Sequence, residues 1–110
     1  MKVVLASLAL VVPTVRISLD KLPAVLGRAP DADVHLDDRW ISRVHCVISE
    51  INGTLVVRDL DSHNGTLVNG QYITEAHLMP GDRLTVGLTS FEVQYKRRQS
   101  RPLASVAVGQ

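Results

Sequence analysis

The side chains with usable chemistry in this sequence fall into two short clusters. The first is Gly27-Arg28 followed, after an acidic loop, by Ser42-Arg43-Val44-His45. The second is Asp59-Leu60-Asp61-Ser62-His63-Asn64-Gly65-Thr66, which runs on to Asn69-Gly70. Arg28 offers a planar, permanently charged fork of the shape that oxyanions accept. Ser42 offers a hydroxyl donor, and Asn64 carries a carbonyl and an amide on one side chain, which suits a peptide backbone in two directions. Each has a plain alternative: an exposed arginine beside a turn, a loop-capping serine, an asparagine in a left-handed turn before glycine. Ser42, His45 and Asp59 also have the types of nucleophile, base and orienter. No Gly-x-Ser-x-Gly elbow accompanies them, so hydrolysis is not expected. His45 and Cys46 are metal-ligand types, but neighbours on a strand point to opposite faces and do not converge on one ion. The expectation is no catalytic residue, no metal and no cofactor; the sequence also lacks a glycine-rich nucleotide loop.

The element that must position both clusters is a hairpin. Cys46 to Leu60 reads as two strands around Asn52-Gly53, the strongest short-range hairpin signal in a sequence. A hairpin that short brings its ends together, so Ser42 and Asn64 should meet on loops at one end of a sheet. Around it, Val15 to Asp20 alternates apolar and polar. Leu22 to Leu26 forms a third strand opened by Pro23, and Val34-His35-Leu36 a short one. Asp37 to Ile41 is the loop that delivers Ser42. Thr66-Leu67-Val68 and Gln71-Tyr72-Ile73 flank Asn69-Gly70 as a second hairpin, and Pro80-Gly81-Asp82 turns the chain between Ala76-His77-Leu78 and Arg83 to Val86. Phe91 to Tyr95 alternates again. Many short strands, frequent turn signals and no helical period predict an all-β sandwich.

Composition narrows the function classes. With 110 residues the chain suits one domain, because domains most often hold about 100–150. Hydrophobic residues make up 45%, a globular proportion rather than a disordered one. A formal net charge of +1 does not describe a surface built for nucleic acid. One cysteine, Cys46, excludes an intrachain disulfide and fits a reducing compartment. Val3 to Val12 is an apolar run behind Lys2 that imitates a secretory leader. It is too short for a bilayer, which takes about 20 apolar residues, and it lacks a clear small-x-small cleavage site. The expectation is a buried first strand in a cytoplasmic protein with no membrane partner. Residues 96–110, with Lys96-Arg97-Arg98 and Arg101, read as a basic, disordered tail or linker behind a domain spanning 1–95.

The two clusters together resemble the forkhead-associated (FHA) domain, a family of phosphothreonine-peptide readers. Its pattern is Gly-Arg, then Ser-x-x-His, then Asn-Gly, usually with Thr next and a second Asn-Gly beyond. Gly27-Arg28, Ser42-Arg43-Val44-His45, Asn64-Gly65-Thr66 and Asn69-Gly70 stand here in that order. The resemblance covers roughly Val3 to Tyr95 and implies an FHA-type (SMAD/FHA-like) β-sandwich of about eleven short strands. It implies a phosphothreonine-dependent protein-binding module of Ser/Thr kinase signalling, with phosphothreonine-containing proteins as partners. The alternative function is phospho-independent association on the same fold. By resemblance, Arg28 and Ser42 are the principal phosphate contacts, Arg43 adds a second phosphate donor, and Asn64 holds the peptide backbone. His63 departs from the Thr, Ser or Arg common at its position; its imidazole either donates to phosphate or points away. The family uses the histidine at His45 to pin the binding loops together. Gly27, Gly65 and Gly70 are expected for backbone conformation, and Thr66 completes the frame. Trp40, in the recognition loop, either contacts peptide side chains or wedges the loop against the sandwich.

Overall fold

The structure, a computed structural model, describes residues 1–8 and 15–96. Its strands in chain order are β1 (Val3–Ser7), β2 (Arg16–Leu19), β3 (Ala24–Gly27), β4 (Val34–His35), β5 (Cys46–Ile51), β6 (Thr54–Asp59), β7 (Thr66–Val68), β8 (Gln71–Ile73), β9 (Glu75–Leu78), β10 (Arg83–Val86) and β11 (Thr89–Gln94). The central hairpin pairs in one register from Cys46↔Asp59 to Ile51↔Thr54. Asn52 and Gly53 close it with φ of 52° and 82°, and Asn69 and Gly70 close the next with 51° and 83°. Both central residues of such turns need positive φ, which is why Asn-Gly was readable at both places.

Two sheets result. One has the order β4-β3-β5-β6-β9, the other β2-β1-β11-β10-β7-β8. Every pair is antiparallel except β3 with β4. Alternation then builds the core between the sheets, since every second strand residue faces inward. Ala24 and Leu26, Cys46 and Ile48, and Leu55 and Val57 come from one sheet; Val3 and Leu5, Leu84 and Val86, and Phe91 and Val93 come from the other. Each fully buried large aliphatic side chain contributes about 1.5–3 kcal/mol by transfer from water. Tyr95 also enters the core; its hydroxyl donates to the Leu78 carbonyl and accepts the Leu55 N–H at 3.4 Å, so the buried polar end is satisfied.

The expected FHA-type sandwich of eleven short strands is borne out. Several strand boundaries differ. The first strand ends at Ser7, and the expected continuation to Val12 runs into residues outside the described ones. The third begins at Ala24, after Pro23, which lacks the N–H a ladder needs. The basic tail lies, beyond Lys96, outside the described residues.

Candidate functional site

The connections β3–β4, β4–β5, β6–β7 and β10–β11 gather at one end of the sandwich. Gly27 fixes the first contact among them. Its φ is not in the left-handed region, so the expected conformational reason is replaced by a steric one. A Cβ at Gly27 would lie 2.0 Å from the Arg43 carbonyl oxygen. Without it, the Arg28 N–H donates to the Ser42 carbonyl at 2.9 Å and the Ala29 N–H to the Arg43 carbonyl at 3.2 Å. Gly65, at φ 86°, does meet the conformational expectation, and the ring of Tyr72 on β8 lies against its open face.

His45, fully buried, cross-links the loops. Its Nδ1 accepts the Ser42 N–H at 3.0 Å, and its Nε2 lies 2.9 Å from the Gly65 carbonyl. An acceptor Nδ1 carries no proton, so the ring is the neutral tautomer with Nε2–H donating to Gly65. Its own backbone donates to the Leu26 carbonyl and accepts from the Leu60 N–H, each at 2.9 Å. Both ring nitrogens are thus committed to structure. The Ser42 hydroxyl bonds elsewhere, accepting the His63 N–H at 2.9 Å. The Ser42–His45–Asp59 relay that a hydrolase would need is not assembled.

Asp59 does other work. Its carboxylate accepts from the Ser62 hydroxyl at 2.5 Å, the Ser62 N–H at 3.1 Å and the buried Thr66 hydroxyl at 2.7 Å. Ser62 Oγ in turn accepts the Gly65 N–H at 3.0 Å. Burial raises the Asp59 carboxyl pKa, but the Ser62 and Thr66 hydrogen bonds outweigh it and hold it below its ordinary value. Its own deep burial, with the Asp59 charge nearby, pushes the Cys46 thiol up to about 12, which keeps it an inert core residue. Among the described residues no group of three or more His, Cys, Asp and Glu side chains is placed to hold a metal ion.

These bonds leave a consistent set of outward groups. Arg28 is exposed, and its Nε donates to the Ile41 carbonyl at 3.0 Å, which anchors one edge of the guanidinium and presents the terminal nitrogens. Ser42 Oγ accepts from His63, so its own proton remains to be donated. Asn64 gives one amide hydrogen to the Trp40 carbonyl at 2.8 Å and keeps Oδ1 as an acceptor. Arg43 and His63 are exposed beside them. The structure therefore brings Arg28, Ser42, Arg43, His63 and Asn64 to one edge, with Gly27, His45, Gly65 and Thr66 beneath.

Asp38 was not singled out by the sequence. It bonds the Trp40 N–H with Oδ1 at 2.8 Å, and the Leu88 N–H and Thr89 hydroxyl with Oδ2, also at 2.8 Å. Burial raises this carboxyl pKa, and those three donors outweigh it, so it too sits below its ordinary value. Trp40 remains exposed, with the Arg39 guanidinium 5.7 Å above its ring.

Fold and site together define a β-sandwich with a donor-rich, cation-bearing loop edge. The sequence model of the FHA domain matches residues 24–87, and the chain belongs to that family. Over 72 residues it is 39% identical to the glycogen accumulation regulator GarA of Mycolicibacterium smegmatis, covering 66% of this chain and 46% of GarA. The chain therefore spans less than half the length of that relative. An FHA domain from a structural and functional analysis of phosphothreonine-dependent FHA domain interactions matches with a TM-score of 0.75 at 28% identity, over 89% of this chain and 100% of its own. EmbR of Mycobacterium tuberculosis, in complex with a low-affinity phosphopeptide, matches with a TM-score of 0.80 at 27% identity, over 91% of this chain and 26% of EmbR.

Proposed function

We propose that this chain is a phosphothreonine-dependent protein-binding module of Ser/Thr kinase signalling that catalyses no reaction. The observation that carries the reading is the pairing of Arg28 and Ser42. Each is anchored from the inside, by Ile41 and His63 respectively, and each keeps its remaining donors for a ligand. A phosphothreonine brings close to two negative charges and three strong acceptor oxygens to such a pair. Arg43 and His63 add donors at the rim, and Asn64 holds the peptide backbone through Oδ1. Gly27, His45, Gly65 and Thr66 keep the loops in place. Trp40 contacts the side chains that flank the phosphoresidue. The EmbR complex supports this reading, since a relative of the same fold holds a phosphopeptide.

The module occupies residues 1–95, and the basic segment that begins at Lys96 is not part of it. We place it in the cytoplasm, where kinases and a single reduced cysteine belong together. No helix of the described residues is long and apolar enough to cross a membrane.

Calorimetric titration with one peptide in its phosphothreonine and unmodified threonine forms tests the reading. Charge-assisted hydrogen bonds contribute about 1.5–3 kcal/mol each, so the phosphorylated form should bind at least about tenfold more tightly. Equal affinity would favour phospho-independent association on the same fold.

A further inference from the structure

The two sheets end in four edge strands, β2 and β8 in one, β4 and β9 in the other. β4 and β8 hold two and three residues, whereas β2 and β9 hold four each. β2 pairs with β1 from Ala6↔Arg16 to Val3↔Leu19, and the next pair is closed by the Ser7 N–H on the Val15 carbonyl at 2.8 Å. Hydrogen-bonded pairs alternate in an antiparallel ladder, so Val15, Ile17 and Leu19 turn their backbone groups toward β1. The N–H and C=O groups of Arg16, Ser18 and, just past the strand, Asp20 therefore face the open edge. No strand among the described residues pairs with them. Such a row is a template for one more strand.

The side chains along this edge complement their own reverse. Arg16-Ile17-Ser18-Leu19-Asp20 reads cation, aliphatic, hydroxyl, aliphatic, anion. Laid antiparallel to a copy of itself about Ser18, it sets Arg16 opposite Asp20 and Ile17 opposite Leu19. In that register the outward backbone groups of Arg16, Ser18 and Asp20 also meet their complements. Arg16, Ser18 and Asp20 are exposed; Arg16 gives Nη2 to Gln94 Oε1 at 2.8 Å and keeps its other nitrogens. On the inner face Leu19 belongs to the core and Ile17 packs, half-buried, against it. A cleft of about 290 Å³ lined by Ile17, Leu19, Ala24 and Val34 opens there, between β2 and the β3–β4 side of the other sheet.

We propose that β2 is a homodimerisation edge, at which two copies of this chain pair antiparallel about Ser18 and join their six-stranded sheets into one. Arg16 of each chain then faces Asp20 of the other, and the two Ile17–Leu19 pairs cover the cleft mouths. Charges on an edge strand often guard it against pairing, and that is the competing role for Arg16 and Asp20. The two-fold axis removes the guard by bringing opposite signs together. One strand from each chain buries less than the about 1,200–2,000 Å² of a stable complex, so the dimer is weak, with Kd between about 10 μM and about 1 mM. The pairing does not rest on the phosphothreonine reading.

Sedimentation equilibrium of the full chain, from about 10 μM to about 1 mM, tests it. The mass should rise from one chain toward two. Arg16→Glu and Asp20→Arg each set like charges opposite at both symmetric pairs, and each should weaken association at least about tenfold. Combined, they exchange the charges and should restore association, which separates a lost contact from a lost fold. Ser18→Cys locates the axis, since opposite residues of a hydrogen-bonded pair stand about 5.5 Å apart at Cα, within disulfide range. Cys46 is buried, so under mild oxidation this variant should cross-link through the new thiol, and faster than His77→Cys on the β9 edge, whose residue is also exposed. A single-chain mass over the whole range, or association indifferent to Arg16→Glu, would overturn the proposal. So would a combined variant that stays monomeric, or cross-linking no faster through Ser18→Cys than through His77→Cys.

Discussion

At the end of the sandwich away from the site, Asn52-Gly53, Asn69-Gly70 and Pro80-Gly81-Asp82 turn the chain with side chains that serve only the turns. Thr54 Oγ1 bonds the Ile51 carbonyl, Asp82 takes the Met79 N–H, and Asn69 takes the Arg83 N–H while giving its amide to Asp82. At the site end the polar side chains bond inward across loops: Arg28 donates to the Ile41 carbonyl, Ser42 accepts the His63 N–H, Asn64 donates to the Trp40 carbonyl and Asp38 accepts the Leu88 N–H. Each site group has more hydrogen-bonding capacity than its inward bond needs. The far turns spend their side chains on themselves and on each other; the binding edge keeps the remainder for a ligand. Preorganisation of this kind lowers the ordering cost that binding would otherwise meet.

The contrast can be broken by substitution. Arg28→Ala should give the largest change in binding, at least about a tenfold loss of phosphopeptide affinity, because an unpaired dianion costs more than the about 1.5–3 kcal/mol of one charged hydrogen bond. Thermal melting of the same variant should match the parent, which separates ligand contact from fold. Gly27→Ala and Gly70→Ala compare the two ends directly. The first drives a Cβ into the Arg43 carbonyl and should cost about 3 kcal/mol or more, with loss of binding. The second meets open space and bears only its positive φ, so about 1–2 kcal/mol of stability is lost and binding is kept.

His45→Ala orphans the Ser42 N–H and the Gly65 carbonyl, and about 1–3 kcal/mol of stability should go. A domain of this size would then melt several degrees lower, by roughly 4–8 °C per kcal/mol. Binding should weaken only as the loops loosen. A variant that melted like the parent yet bound nothing would make His45 a ligand contact.

The smallest effect is on acid stability. The folded Asp59 carboxyl lies below its ordinary 3.8, held there by Ser62 and Thr66 against the opposing effect of burial. A depressed carboxylate adds stability that is complete above the ordinary value and is lost as pH falls through the folded one. Melts taken from about pH 7 down to about pH 3 should therefore fall more steeply for the parent than for Asp59→Asn, which has no such proton to bind. Equal slopes would mean the Ser62 and Thr66 bonds do not favour the charged form. Asp38, depressed for the same kind of reason, should add to the parent's slope.

What the sequence showed and what it hid divide along the same line. Asn52-Gly53 and Asn69-Gly70 were legible because the turn's demand is local: two successive positive φ values that this residue pair tolerates. Gly27-Arg28, Ser42, His45 and Asn64 were legible as an ordered pattern of types, which the family resemblance turned into a fold and a site edge. The steric reason for Gly27 was hidden, since the carbonyl it accommodates belongs to Arg43, on another loop. Asp38 was hidden more deeply. In Asp37-Asp38-Arg39 it reads as a solvated loop charge, and its partners at Leu88 and Thr89 become neighbours only when the sandwich closes. Contacts of long sequence separation carry no signal in either segment alone.

The central claim is that phosphate recognition belongs to one end of this sandwich. Backbone amide chemical shifts, followed while a phosphothreonine peptide is added, test it most directly. The account predicts the largest changes at Arg28, Ser42, Arg43, His63, Asn64 and Gly65, with little change at Asn52, Gly53, Asn69, Gly70 and Gly81. Changes centred on those far turns, or none at Arg28 and Ser42 with a peptide that binds, would contradict it.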